Sequence, residues 1–204
     1  MEFIPLHYLH LDQWIGGVFG IVTGFIVQGE VMMFFVLMFQ NLSDRERVVY
    51  DLNPFHHMDL STLPVILLTG WGWGKKRVAV PPYFPQHRIT RSMIHLAAPM
   101  GNLCFVGVLG SIYMFFPVSI LKFVIQINSL IAMANFMIPI PPMALGRAIC
   151  TYFPELKDRF PAMERTGALL ITVLVLLDYW TRAGIWQSVL LPPALFISRF
   201  ILAG

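Results

Sequence analysis

Four ionisable side chains stand where they could do chemistry: Glu30, inside a long apolar run, and His56, His57 and Asp59, in a polar loop further along the chain. Burying a charged side chain in a bilayer costs ~2.5–3.5 kcal/mol on insertion scales, so an intramembrane glutamate is a functional candidate by default. Carboxylates and imidazoles carry protons and bind metal ions. The chemistries to consider are therefore proton or ion transfer and metal binding.

The loop favours a structural role over a metal site. Side chains at adjacent loop positions point apart, so His56 and His57 are not expected to face one ion. We prefer an interpretation in which His57 and Asp59 fix the loop by hydrogen bonds. The two cysteines, Cys104 and Cys150, form no CxxC pair and are interpreted as free thiols.

The elements that carry these residues are predicted to be membrane helices. Of the 204 residues, 57% are hydrophobic and 12% charged, whereas about 25% are charged in a soluble domain. A spanning helix needs ~20 apolar residues, so this length leaves no room for a separate soluble domain. We predict a single membrane domain, 1–204, with an all-α polytopic fold of about five or six transmembrane or re-entrant helices.

The candidate segments differ in length. Residues 60–73 are too short for a confident span and are predicted to be re-entrant or partial. A turn at Pro117 predicts a helical hairpin, 146–165 is predicted to be a loop or an interfacial helix, and 77–83 is predicted to be a short extended segment that ends at a proline pair. The apolar stretches are 14–39, 60–73, 93–116, 118–138, 166–180 and 185–202, of which the last two form a C-terminal hairpin over 166–203.

Small residues recur along the first helix. Gly16, Gly20, Gly24 and Gln28 follow one another at every fourth position and therefore share one stripe of a helix. Such a stripe lets a second helix approach closely. That helix belongs either to this chain, which is the commoner case, or to a partner subunit.

Basic residues concentrate in the loop before the third stretch. The net charge is +3, and Lys75, Lys76, Arg77, Arg88 and Arg91 all lie between the second and third stretches. The positive-inside rule predicts a cytoplasmic loop. These cations are not interleaved with aromatics as a nucleic-acid surface requires, so the expected partners are membrane lipids and other membrane proteins.

Three separate stretches resemble the site-2 protease family of intramembrane zinc metalloproteases, in its compact bacterial branch. Residues 53–59, Asn-Pro-Phe-His-His-Met-Asp, are similar to the family's NPxxHxD loop, and 97–102, Ala-Ala-Pro-Met-Gly-Asn, are similar to its alanine-glycine-proline helix start. Residues 128–147 resemble its late asparagine-containing helix and PPxDGGR motif. The resemblance covers a core of about 14–147 and implies a bacterial inner-membrane location and a cleft lined by Asn53, His57, Asp59, Asn102, Asn128 and Asn135.

The departures from the family pattern fall on its zinc ligands. If Glu30 occupies the position of the glutamate in the HExxH motif, Gly29 and Met33 replace both histidines, and no histidine lies between His10 and His56. Ala144 stands at the position of the third ligand, an aspartate. Glycine and alanine have no donor atom, and a thioether is a poor ligand for catalytic zinc. We therefore expect no bound zinc, no other cofactor and no peptidase activity.

Three functions follow from this pattern. The preferred hypothesis is a pseudoprotease that serves as a structural, assembly or binding subunit of a larger membrane complex, with a cleft that could hold a partner helix or a lipid. The alternatives are an active protease with an atypical metal site and a small proton- or ion-conducting module built around Glu30. In the preferred hypothesis Glu30 is a relic of the motif, held protonated or bonded to Asn128 or Asn135.

Overall fold

The fold is helical throughout the part of the chain that the structure describes. A computed structural model describes residues 11–39, 52–75, 88–156 and 158–203. Two 3-10 helices, Leu60–Thr62 and Pro154–Leu156, interrupt the loops. The α-helices are α1 (Leu11–Phe39), α2 (Pro54–His57), α3 (Leu63–Thr69), α4 (Arg88–Phe115), α5 (Ser119–Met137), α6 (Ala144–Tyr152), α7 (Phe160–Thr181) and α8 (Ile185–Ala203).

Five of these helices are long and apolar enough to cross a membrane. They are α1, α4, α5, α7 and α8, which confirms the prediction of a polytopic all-α membrane protein. The short helical run Leu60–Thr69 is apolar but too short to span, in agreement with the predicted partial segment. The predicted extended segment at 77–83 lies outside the described residues.

The centre of the fold is the contact between α1 and α5. Each glycine of the α1 stripe meets α5 one turn further along: Gly16 meets Ile120 and Phe123, Gly20 meets Val124 and Ile127, and Gly24 meets Asn128 and Ile131. The two helices therefore run parallel. A Cβ on Gly20 would lie 3.0 Å from the Cβ of Ile127, so the stripe is used within this chain, as in the first of the two alternatives above.

α4 closes this centre as a hairpin with α5. Residues 116–118 separate the two helices, as the turn at Pro117 predicts, and α4 therefore runs antiparallel to both α5 and α1. Gly101 of α4 faces Val31 of α1. One end of the bundle thus collects the end of α1, the start of α4 and the end of α5, and we call it the His57 end because the 52–75 loop packs there.

The chain continues through two short elements into α7 and α8. These two helices pack little against each other, and α8 packs instead on α5 and α4, so they do not form the packed C-terminal hairpin predicted over 166–203. The stretch predicted as a loop or an interfacial helix contains α6, which begins at Ala144, and the start of α7 at Phe160. The turn that joins α7 to α8 contains Arg182 and Gly184, both in the left-handed region with φ of 54° and 68°. Asp178 Oδ1 then accepts a hydrogen bond from the backbone N–H of Ile185 at 2.8 Å, which caps the start of α8.

Candidate functional site

The intramembrane glutamate faces a buried histidine. His57 Nε2 lies 3.4 Å from Glu30 Oε1, and the Glu30 side chain is 15% exposed. Gly29, the residue before Glu30, packs against the same imidazole, and a Cβ at this position would collide with its Nδ1. The space beside residue 29 is therefore filled by the ring of His57.

Local capping of the loop places the His57 side chain inside the bundle. Asn53 Oδ1 accepts the backbone N–H of Phe55 at 3.1 Å and caps α2, and Pro54 suits the first helical position. In this single turn His56 is exposed and His57 is buried. The two histidines thus point apart, as predicted from their adjacency.

A second cap and a backbone bridge complete the loop. Asp59 Oδ1 accepts the N–H of Ser61 at 2.9 Å, and the backbone carbonyl of His57 accepts the N–H of Lys75 at 2.7 Å. Met58 and Gly74 form an isolated antiparallel bridge. Asp59 thus caps the 3-10 helix. His57 holds the loop through its backbone carbonyl and contacts Glu30 through its ring.

Asn135 connects three parts of the site. Its Nδ2 donates to the carbonyl of Gly72 at 3.2 Å and to that of Ile131 at 2.9 Å. Its Oδ1 accepts the backbone N–H of Ala144 at 3.2 Å. Ala144 is thus buried at the start of α6, and its backbone N–H is bonded to Asn135.

The other predicted cleft residues are buried but do different things. Asn128 Nδ2 donates to the carbonyls of Gly20 and Val124 at 3.1 and 2.9 Å, so this asparagine supports the contact between α1 and α5. Neither Asn128 nor Asn135 bonds to Glu30, which faces His57 instead. Gln28, Met33 and Asn102 are buried as well, and Asn102 has no hydrogen-bond partner among the described residues.

An ion pair that sequence reasoning missed lies beside these residues. Arg147 Nε is 2.8 Å from Glu164 Oε1 and Arg147 Nη2 is 3.4 Å from the carbonyl of Gly74. The guanidinium therefore ties α6 to α7 and to the loop next to His57. Arg147 stands in the motif used for the resemblance, but no local pattern indicates its partner 17 residues later.

The site offers few groups for nucleophilic or metal chemistry. Cys150 is a buried free cysteine on α6, and burial together with the nearby Glu164 raises the pKa of its thiol, which lowers the thiolate fraction at neutral pH. Among the described residues no three His, Cys, Asp or Glu side chains lie close enough together to hold a metal ion. The arrangement therefore comprises one carboxyl–imidazole pair in a shell of amide and backbone hydrogen bonds.

Comparisons with protein-family models, with curated proteins and with solved structures give no match to this chain.

Proposed function

We propose that the chain is a catalytically inactive, site-2-protease-like membrane protein that serves as a structural, assembly or binding subunit of a larger complex in the bacterial inner membrane. The observation that carries the proposal is the occupancy of the former zinc-ligand positions. Gly29, Met33 and Ala144 offer no nitrogen or oxygen side-chain donor. Without a metal there is no activated water for peptide hydrolysis.

Packing around two of these positions supports the proposal. The imidazole of His57 lies where a side chain on residue 29 would extend, so a histidine at this position requires α2 to move. Ala144 is 5% exposed and its backbone N–H is bonded to Asn135. The space released by the loss of ligand side chains is thus taken up by the fold itself.

The outer helices support a role in association. α7 and α8 carry many exposed large apolar side chains, including Leu169, Trp180, Phe196 and Phe200, and in a membrane such surfaces meet lipid or other helices. In this proposal a partner helix docks on these outer apolar surfaces and is not cleaved. Binding in this proposal persists after the chemistry is lost.

The test is co-purification from native membranes. A tagged chain extracted in mild detergent is expected to retain one or more membrane proteins at constant stoichiometry through size-exclusion chromatography, and an unrelated tagged membrane protein of similar size serves as the control. Recovery of the chain alone, with lipid and detergent as its only companions, would contradict the proposed subunit role.

The contact between Glu30 and His57 favours one second candidate, a proton-handling module. A carboxyl group and an imidazole 3.4 Å apart can exchange a proton. In that case Glu30→Gln abolishes pH-driven proton uptake into proteoliposomes while leaving the fold intact. In the subunit proposal the wild-type chain and the variant give the same background uptake.

A further inference from the structure

A groove of about 650 Å³ lies beside the His57 end. It is bounded by the 52–75 loop, α6 and the start of α7. Five charged side chains line it, and three of them form a hydrogen bond or an ion pair with a described residue. Arg147 pairs with Glu164 at 2.8 Å, and Asp59 caps the 3-10 helix through the N–H of Ser61. The remaining two charges determine what the groove attracts.

Those two charges are both positive. Lys75 and Arg165 line the groove and are solvent-exposed, and neither forms an ion pair with any residue that the structure describes. Since Arg147 and Glu164 neutralise each other, the groove carries more positive than negative charge. It therefore favours an anionic group over a neutral or cationic one.

The other wall of the groove is apolar and belongs to α7. Ala168, Leu169 and Thr172 line it, and the outward face continues through the exposed Val173 and Leu176. No charged residue occurs over 166–177, a length of ~18 Å at 1.5 Å per residue. That distance is close to the depth of one leaflet, ~15 Å or half of a ~30 Å hydrocarbon core.

We propose that this groove binds an anionic phospholipid of the surrounding bilayer. The lipid phosphate lies between Lys75 and Arg165, and one acyl chain follows the apolar face of α7 past Leu169. The arrangement of side chains matches the parts of such a lipid. The cations lie near the start of α7, where the phosphate would bind, and the apolar side chains beyond them would contact the acyl chain. The proposal requires only that the chain lies in a membrane and does not depend on the subunit role.

The experiment compares lipids and matched variants. The full chain in detergent is titrated with phosphatidylglycerol and with phosphatidylcholine, and bound lipid is counted by native mass spectrometry. We expect preferential binding of phosphatidylglycerol, weakened on the order of tenfold in Lys75→Gln/Arg165→Gln. The control pair Lys122→Gln/Arg199→Gln removes the same charge from α5 and α8, outside the groove, and is expected to bind as the wild type does.

Three results would overturn the proposal. Equal binding of the two lipids, or equal loss in the groove and control pairs, would mean that Lys75 and Arg165 do not select an anionic headgroup. A third arm adds inorganic phosphate to the loaded protein. Displacement of phosphatidylglycerol at equimolar phosphate would assign the groove to a free anion, whereas retention supports a lipid held by both headgroup and acyl chain.

Discussion

At the scale of single residues, the site is organised around the ring of His57. The loop caps at Asn53 and Asp59 place this ring inside the bundle, where it contacts Glu30 and covers Gly29. A residue with a Cβ at position 29 would have to displace the ring or the helix that carries it. The glycine thus has a packing role against the ring of His57.

Substitution of Gly29 tests this packing directly. We expect Gly29→Ala to reduce the free energy of unfolding by about 1–3 kcal/mol, because an added methyl group overpacks the contact with His57. Gly107→Ala is the matched control, since a Cβ on this α4 glycine would meet nothing within 4 Å. Thermal unfolding in detergent measures both, and equal stability of the two variants would contradict the proposed contact.

Two buried amides, Asn135 and Asn102, should differ in their contribution to stability. Asn135→Ala removes the partner of the Gly72 carbonyl and of the Ala144 N–H, and leaving buried groups unpaired costs about 1–3 kcal/mol. Asn102 is also buried but has no hydrogen-bond partner among the described residues, so Asn102→Ala is expected to cost less. Denaturant unfolding measures the free energy of unfolding of both variants. A larger decrease in Asn102→Ala than in Asn135→Ala would contradict the prediction.

At the scale of elements, the parallel contact of α1 with α5 sets the arrangement of the bundle. The recurrence of glycine at every fourth position predicts a close helix contact, because this period is a local property of the chain. The identity of the covering helix is not local, since Gly20 and Ile127 are more than one hundred residues apart. The same limit applies to the pair Glu30 and His57 and to the pair Arg147 and Glu164.

Gly20→Leu tests the element-scale contact. A leucine side chain at this position meets Ile127 and Val124 of α5, so we expect the two helices to separate and the yield of folded protein to fall several-fold. Gly107→Leu places the same side chain on an open face of α4 and serves as the control. Unchanged yield and monodispersity of Gly20→Leu in size-exclusion chromatography would show that the stripe does not hold the bundle together.

At the scale of the whole molecule, hydrophobic run length was sufficient to predict the membrane class and the positions of the long helices. It was less informative for the start of α7 and for α6, because mixed-charge stretches with proline are compatible with loops and with short helices alike. The exposed apolar faces of α7 and α8 follow from the fold and were not predictable from composition. Whether lipid or protein covers them is what the co-purification experiment decides.

The bundle predicts a fixed orientation. Leu52 lies at the His57 end and Phe116 at the opposite end, between α4 and α5, and both side chains are exposed. Since basic residues gather at the His57 end, Leu52 is expected on the cytoplasmic side. In a chain without Cys104 and Cys150, a membrane-impermeant maleimide should label Phe116→Cys in intact cells and Leu52→Cys only after lysis. Labelling of both from the same side would refute the arrangement.

The central claim is the absence of a catalytic metal site, and zinc content tests it most directly. The full chain and its Glu30→Gln variant are purified without chelators in zinc-supplemented buffer. The zinc content of each protein is then measured by elemental mass spectrometry. We predict far less than one zinc per chain, at the same level in both proteins. One zinc per wild-type chain that is lost in Glu30→Gln would contradict the account, because it would show a metal site that includes Glu30.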